Sequence, residues 1–178
     1  MRGYFGLGVE NISKPMNLGN LLRSANAFGA SFFFTVNAAF DAEQVALSDT
    51  SDAARHLPLY THDSPAALQL PHKCRLIGVE FTEESEDLPS FYHPVAAAYI
   101  LGRERGSLSP EMQARCDALV KIPTQFCVNV GVAGAIVMYD RVISLGRFAR
   151  RPANERSAPG PAPKPGRPAQ PSDAAPEG

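Results

Sequence analysis

The feature that most constrains this chain is a series of short apolar runs separated by segments of helical spacing. "YFGLGV" (Tyr4–Val9), "SFFFTV" (Ser31–Val36), "CRLIGVEF" (Cys74–Phe81), "VAAAYIL" (Val95–Leu101) and "ALVKIP" (Ala118–Pro123) read as strands. A strand with one wet face alternates apolar and polar residues. "CRLIGVEF" and "VAAAYIL" instead read as continuous, buried strands, as in a sheet covered on both faces. The segments between them carry the 3.6-residue period. Strands alternating with helices predict an α/β fold: a mainly parallel sheet with helices on both faces.

The clearest helix is "NLGNLLRSANAFGA", predicted over Asn17–Phe28. Leu18, Leu21, Leu22, Ala25 and Phe28 form one apolar stripe. Asn17 suits an N-cap and Gly29 a C′ position. Arg23 falls on the face of Asn20 and Ala27, where its neighbours are short. Further helical stretches are expected around Ser48–Arg55 and near Pro65–Leu70. "GSLSPEMQARC" should start a helix with Ser109 at the N-cap and Pro110 at N1. A long Gly/Ala-rich helix follows from about Asn129. The acidic run "EFTEESEDLP" (Glu80–Pro89) reads as a solvated loop.

The composition breaks near residue 151. The segment from Arg151 holds eight of the 16 prolines and no large apolar residue. It cannot bury enough surface to offset the entropy of ordering. The expected organisation is therefore a folded domain over 1–150 and a disordered Pro/Ala-rich tail over 151–178.

Several function classes are disfavoured. No apolar run approaches the roughly 20 residues of a membrane span, and the first residues carry no apolar core of a secretory signal. Cys74, Cys116 and Cys127 are odd in number and far apart, and the four histidines have no ligand spacing. A disulfide framework or metal site is not expected, and a reduced, cytoplasmic location is. With 17 basic and 18 acidic residues, of which 13 and 15 lie before Arg151, the chain lacks the basic excess of most nucleic-acid binders. Arg141, Arg147, Arg150 and Arg151 form a candidate basic patch, but read more readily as a solvated helix end where cations complement the dipole. No P-loop, G-x-S-x-G elbow or complete G-x-G-x-x-G fingerprint occurs.

Three polar clusters do stand out at element edges. They are Asn17 with Arg23, "YILGRERGSLSPEM", and "IPTQFCVNVGVAGAIVMYD". The second and third follow the carboxyl ends of strands, where open α/β sheets place their ligands. Each is also readable as an ordinary connection. Together, in order and spacing, the three resemble motifs 1, 2 and 3 of the SpoU/TrmH family of SPOUT-superfamily RNA methyltransferases, over about residues 3–148.

That resemblance implies a C-terminal deep trefoil knot, S-adenosylmethionine as cofactor, an RNA substrate (tRNA or rRNA) and a homodimer whose sites the partner completes. It also assigns positions. Arg23 matches the motif 1 catalytic arginine and Asn17 its companion. Glu104 matches the motif 2 glutamate and Asn129 the motif 3 asparagine. Leu101, Gly102, Ile122 and Val128 match positions that hold the cofactor's adenosine. Val79 should face the same pocket, and Cys127 stands where the family carries a serine. Gly131 replaces a second serine. The implied reaction is methylation of a ribose 2′-OH. Two other readings stay open: methylation of a base, and a non-catalytic RNA- or cofactor-binding protein, which Cys127 and Gly131 keep in play. A nucleophilic Cys127 would need a base partner, and none is evident in the sequence.

Overall fold

In the computed structural model, residues 3–39, 56–103, 106–146 and 148 can be described. They form a seven-stranded sheet with β1 (Tyr4–Glu10), β2 (Phe32–Val36), β3 (Leu59–His62), β4 (Arg75–Val79), β5 (Glu86–Asp87), β6 (Ala96–Leu101) and β7 (Ala118–Lys121). The spatial order is β3-β2-β1-β6-β4-β7-β5. Every neighbouring pair is parallel. Three helices complete the described fold: α1 (Pro15–Ala27), α2 (Pro110–Arg115) and α3 (Val130–Leu145).

The apolar runs explain this architecture. Along β1, β2, β4 and β6, alternate residues point to opposite faces, and both faces are buried. Leu7, Val9, Phe33, Ile77, Tyr99 and Leu101 join one core with Leu18, Leu21 and Leu22 of α1 and Val137 and Met138 of α3. Phe34, Val36, Leu76, Ala98 and Ile100 join a second core with Leu108 and Met112 at the start of α2. Helices thus cover both faces. The α1–α3 contact is close: a Cβ on Gly134 would lie 2.6 Å from Leu21 Cδ2.

Several sequence expectations need correction. Asn17 is not the N-cap of α1. Lys14 is, with Pro15 at the first helical position, so Asn17 lies inside the first turn and is buried. Pro15 fits because its missing N–H would be unpaired there anyway. The expected C′ residue holds: Gly29 follows the Phe28 cap at φ +75°. The stretch near Pro65–Leu70 forms turns (Ala67 N–H to Ser64 O, Leu68 N–H to Pro65 O) rather than a helix. It is too short to offset the cost of helix nucleation. The expected helix at Ser48–Arg55 lies outside the described residues, as does the 151–178 segment. Strand β3 was not expected, since its side chains are half-buried or exposed and give no apolar run. The acidic run also departs from a plain solvated loop. It contains β5, then a 3-10 turn at Leu88–Ser90, with Ser85 and Leu88 buried.

Candidate active site

The carboxyl ends of β4, β6 and β7 open into a cleft of about 350 Å³. Its walls come from four segments: Val79–Phe81 at the end of β4, Leu101–Arg103 with Gly106 and Ser107 at the end of β6, Lys121, Ile122 and Thr124 at the end of β7, and Cys127, Val128, Val130 and Ala133 around the start of α3. The sequence-predicted residues Val79, Leu101, Gly102, Ile122, Cys127 and Val128 all line this one cleft. Its size lies within the range of about 300–1,000 Å³ usual for small-ligand sites, and its walls are mainly apolar with a few polar groups.

Gly102 matters through the space it leaves. A Cβ there would sit 2.9 Å from Leu108 N and 3.1 Å from Gly106 O, because the chain folds back over it. Any side chain would push the returning segment away, so the loop after β6 needs glycine at this point.

A second, shallower groove of about 530 Å³ runs between α1 and α3. Asn20, Arg23, Ser24 and Phe28 line it from α1, and Asn129, Gly131, Val132, Ala135, Ile136 and Tyr139 from the other side. Arg23 is exposed at this groove. Asn129 caps α3, its Oδ1 accepting the Gly131 N–H at 2.8 Å. Its amide Nδ2 donates to Asn17 Oδ1 at 3.4 Å across 112 positions of sequence. Motifs 1 and 3 therefore meet directly. Glu104 lies outside the described residues.

Arg141 does not contribute to the candidate basic patch, nor to a solvated helix end. Arg141 is only 2 % exposed and points inward. It donates to Pro94 O at 2.6 Å, Val95 O at 2.8 Å, Tyr4 O at 3.3 Å and the Tyr99 hydroxyl at 3.1 Å. Those carbonyls crowd the start of β1 and β6, and an arginine fork satisfies several at once. Arg147, Arg150 and Arg151 lie outside the described residues. Beside Arg141, buried His93 contacts Tyr99 Oη at 2.6 Å and Asp140 Oδ2 at 2.8 Å. Burial lowers the His93 pKa below its ordinary value, against the opposing pull of Asp140. With His93 neutral, every proton has a place: Arg141 donates to Tyr99, Tyr99 to Nδ1, and Nε2–H to Asp140.

Two site-supporting residues escaped the sequence reading, Glu10 and Glu80. Glu10 is buried, and its carboxylate accepts from Ser109 N at 2.7 Å and Ser109 Oγ at 2.6 Å. Glu80 lines the cleft and accepts from Leu108 N at 2.6 Å. The signal was present: Gly8-Val9-Glu10 and Gly78-Val79-Glu80 repeat one tripeptide at the ends of two apolar runs. Cys127 is exposed at the cleft, whereas burial pushes the Cys116 thiol up to about 12. Among the described residues, no group of three or more His, Cys, Asp or Glu side chains could hold a metal ion. Nor is any helix there long and apolar enough to cross a membrane.

A parallel sheet whose strand ends shape a cleft beside an exposed arginine defines an α/β protein with a candidate ligand site, and comparison with known proteins specifies its family. The SpoU rRNA Methylase family model matches residues 5–139, and the chain belongs to that family. It is 30% identical over 137 residues to the mouse tRNA (guanosine(18)-2'-O)-methyltransferase TARBP1, covering 72% of this chain but 9% of that protein. The fold superimposes on the SpoU methyltransferase AviRb of Streptomyces viridochromogenes, solved in complex with AdoMet, with a TM-score of 0.70 and 22% identity. That match covers 80% of this chain and 58% of AviRb. A structure described as giving insights into the 2-OH methylation of C/U34 on tRNA matches at a TM-score of 0.69 and 25% identity, over 82% of this chain and 98% of that one. The chain thus spans less than two thirds of the first two relatives and nearly all of the third.

Proposed function

We propose that the protein is an S-adenosylmethionine-dependent RNA methyltransferase that methylates a ribose 2′-OH in tRNA or rRNA, in the cytoplasm. One observation carries the reading: consecutive residues at the β7–α3 junction divide between two cavities. Cys127, Val128 and Val130 face the cleft, while Asn129 and Gly131 face the groove that holds Arg23. A methyl donor in the first and a nucleotide in the second would meet across a single stretch of backbone. That is the proximity a bimolecular transfer needs.

The cleft fits the cofactor. Val79, Leu101, Ile122 and Val128 offer apolar walls for an adenine, and Gly102 brings backbone groups close. When bound, S-adenosylmethionine supplies a methyl group already activated by its sulfonium. The chain's task is then to align the 2′-OH and stabilise its developing charge. Arg23 cannot act as a literal base, since its guanidinium stays protonated at any ordinary pH. It instead grips the target phosphate through two parallel N–H bonds and stabilises the developing alkoxide, while the proton leaves through phosphate or water. Short Asn20 beside it leaves room for the nucleotide. Asn17 and Asn129 hold the α1 and α3 sides of the site together. Glu104 enters this scheme as a catalytic residue on the family pattern alone.

We further propose that the working unit is a knotted homodimer. Strand β6 sits between β1 and β4 while β7 lies beyond β4, so the late strands are joined by crossovers, an order compatible with the knot that the family resemblance implies. Val132, Tyr139 and Ile143 are exposed on α3 at spacings of seven and four, which makes one apolar stripe. A second copy of the chain packed beside the Arg23 groove would cover the stripe and form part of the groove's wall, which Val132 and Tyr139 already line. Sedimentation should give twice the chain mass, and Tyr139→Glu should shift it to the monomer.

The decisive assay is transfer of labelled methyl from S-adenosylmethionine to RNA from cells lacking the protein, followed by digestion to nucleosides. Label in a 2′-O-methyl nucleoside that disappears with Arg23→Ala supports the proposal. Label on a base overturns the ribose assignment. Cofactor binding without transfer favours a non-catalytic binding protein. Arg23→Lys keeps the charge but loses the fork, so near-normal activity there would refute the bidentate role.

A further inference from the structure

The loop after β6 forms one wall of the cleft, and among its described residues Gly102, Gly106 and Ser107 carry little or no side chain. Two of its anchors come from the neighbouring strands. In the sheet, β6 lies between β1 and β4, and Leu101 is in register with Val9 on one side and Val79 on the other. The next residues, Glu10 and Glu80, therefore flank Gly102 symmetrically. Their carboxylates accept from two successive backbone N–H groups of the returning loop. Glu80 Oε2 takes Leu108 N at 2.6 Å, and Glu10 Oε2 takes Ser109 N at 2.7 Å. Glu10 Oε1 also accepts from Ser109 Oγ at 2.6 Å, which in turn accepts from Met112 N at 3.1 Å and caps α2. Gln113 Nε2 donates back to Leu108 O at 2.8 Å, and the Leu108 side chain is buried.

We propose that Glu10 and Glu80 are positioning residues that clamp the β6–α2 loop against Gly102 and thereby preform the cofactor cleft. This inference rests on the cofactor reading above. Bonds from backbone N–H to a carboxylate are among the stronger hydrogen bonds available. Two of them on adjacent residues fix both the position and the twist of the segment. The two carboxylates divide the work. Glu10 is sealed below the loop and sets the start of α2. Glu80 stands at the cleft itself, where loss of its bond frees the wall that the ligand touches. The loop is then built before any ligand arrives, so binding does not have to order it.

The test uses the full chain with Glu80→Ala, Glu80→Gln and Glu10→Gln. It combines residue-resolved amide exchange with calorimetric titration of S-adenosylmethionine and S-adenosylhomocysteine. In Glu80→Ala the Leu108 amide should lose protection while core amides of β1 and β6 keep theirs. Affinity for both ligands should fall about tenfold or more. Glu80→Gln retains an acceptor oxygen and should recover most of both effects, as should Glu10→Gln at Ser109. Unchanged affinity in Glu80→Ala, with wild type binding normally, would overturn the inference. So would a loss confined to the cationic S-adenosylmethionine, which would make Glu80 a counter-charge rather than a clamp. Failure of the wild type to bind either ligand would instead refute the cofactor reading. Leu108 exchange would then still decide whether the clamp exists.

Discussion

Replacement of Arg141 by methionine isolates the largest polar commitment of the core. The substitution keeps an unbranched apolar stem and removes a fork that donates to Pro94 O, Val95 O, Tyr4 O and Tyr99 Oη. Two effects oppose each other. Relief of burying a cation favours the variant, as in buried ion pairs that apolar residues replace without loss. Here, however, the partners are backbone carbonyls, which stay behind and cannot be removed. The contacts at 2.6 and 2.8 Å are the tightest, and each buried acceptor left without a donor costs about 1–3 kcal/mol. The guanidinium also lies 5.2 Å from the Phe5 ring centroid, a contact that methionine replaces only in part. The orphaned carbonyls outweigh the relief, and the net loss should be about 3 kcal/mol. At about 2–4 °C per kcal/mol for a domain of this size, Tm should fall by about 6–12 °C. Urea melts give the free energy directly, and their slope reports whether the transition stays two-state. Arg141→Lys should recover little, because one ammonium cannot span three carbonyls. A methionine variant within about 1 kcal/mol of wild type would refute the account, since the carbonyls would then have to find water without strain.

Other outcomes follow from the same geometry. Burial lowers the His93 pKa below 6.5, so the folded state binds fewer protons there than the unfolded chain, and this stability is present above pH 6.5 and is lost as pH falls through the folded pKa. His93→Gln should therefore lose less stability than wild type between pH 7 and 5 in paired melts, and parallel curves would contradict the neutral-histidine network. A thiol reagent at pH 8 should modify exposed Cys127 rapidly and leave Cys116, with its pKa near 12, unreacted; mass mapping of the adduct checks the order. Asn129→Ala loses the α3 cap and should cost about 1 kcal/mol in melts, whereas Asn129→Ser keeps a capping oxygen and should recover that stability but not methyl transfer, because it cannot reach Asn17.

The parts of the fold that sequence exposes are those whose residues must satisfy a local rule. Buried parallel strands need unbroken apolar runs, and β1, β2, β4 and β6 were readable for that reason. The α2 start was readable because Ser109 and Pro110 each suit one terminal position. The edge strands β3 and β5 were not. Their backbone is paired on one side only, and their half-wet side chains resemble those of a loop. Asn17 misled because asparagine favours caps, but here Pro15 starts the helix two residues earlier and the side chain serves a contact 112 residues away. Arg141 misled more fully. On a helix, an arginine near other arginines reads as surface, and only the carbonyl ends gathered by the tertiary fold give it a buried task. The cofactor-type residues converge on one cleft because each lies at or just beyond the carboxyl end of a parallel strand, and strand ends in one sheet are neighbours. The Glu10–Glu80 pair needed one more fact, the order β1-β6-β4, which no local pattern contains.

The described fold therefore ties its two polar systems to opposite ends of the sheet, and this separation is itself testable. Helix α3 has 16 residues, about 24 Å at 1.5 Å per residue. Its first turn borders the cleft, and the groove runs along the helix as far as Tyr139. Its later turns carry Asp140 and Arg141 into the buried network at the starts of β1 and β6. Between them, Gly134 seats against Leu21, so a disturbance at Arg141 would have to repack the α1–α3 contact before it moved Asn129. Distant, independent sites contribute additively. At a temperature well below melting, Arg141→Met should then bind S-adenosylmethionine within about twofold of wild type despite its lower stability. Glu80→Ala should show the opposite pattern, weak binding with a smaller loss in the melt. The double variant should show the sum of both stability losses to within about 0.5 kcal/mol. A cofactor affinity that tracked stability across all three proteins would mean that the cleft is held by the fold as a whole, and the loop clamp would lose its separate role.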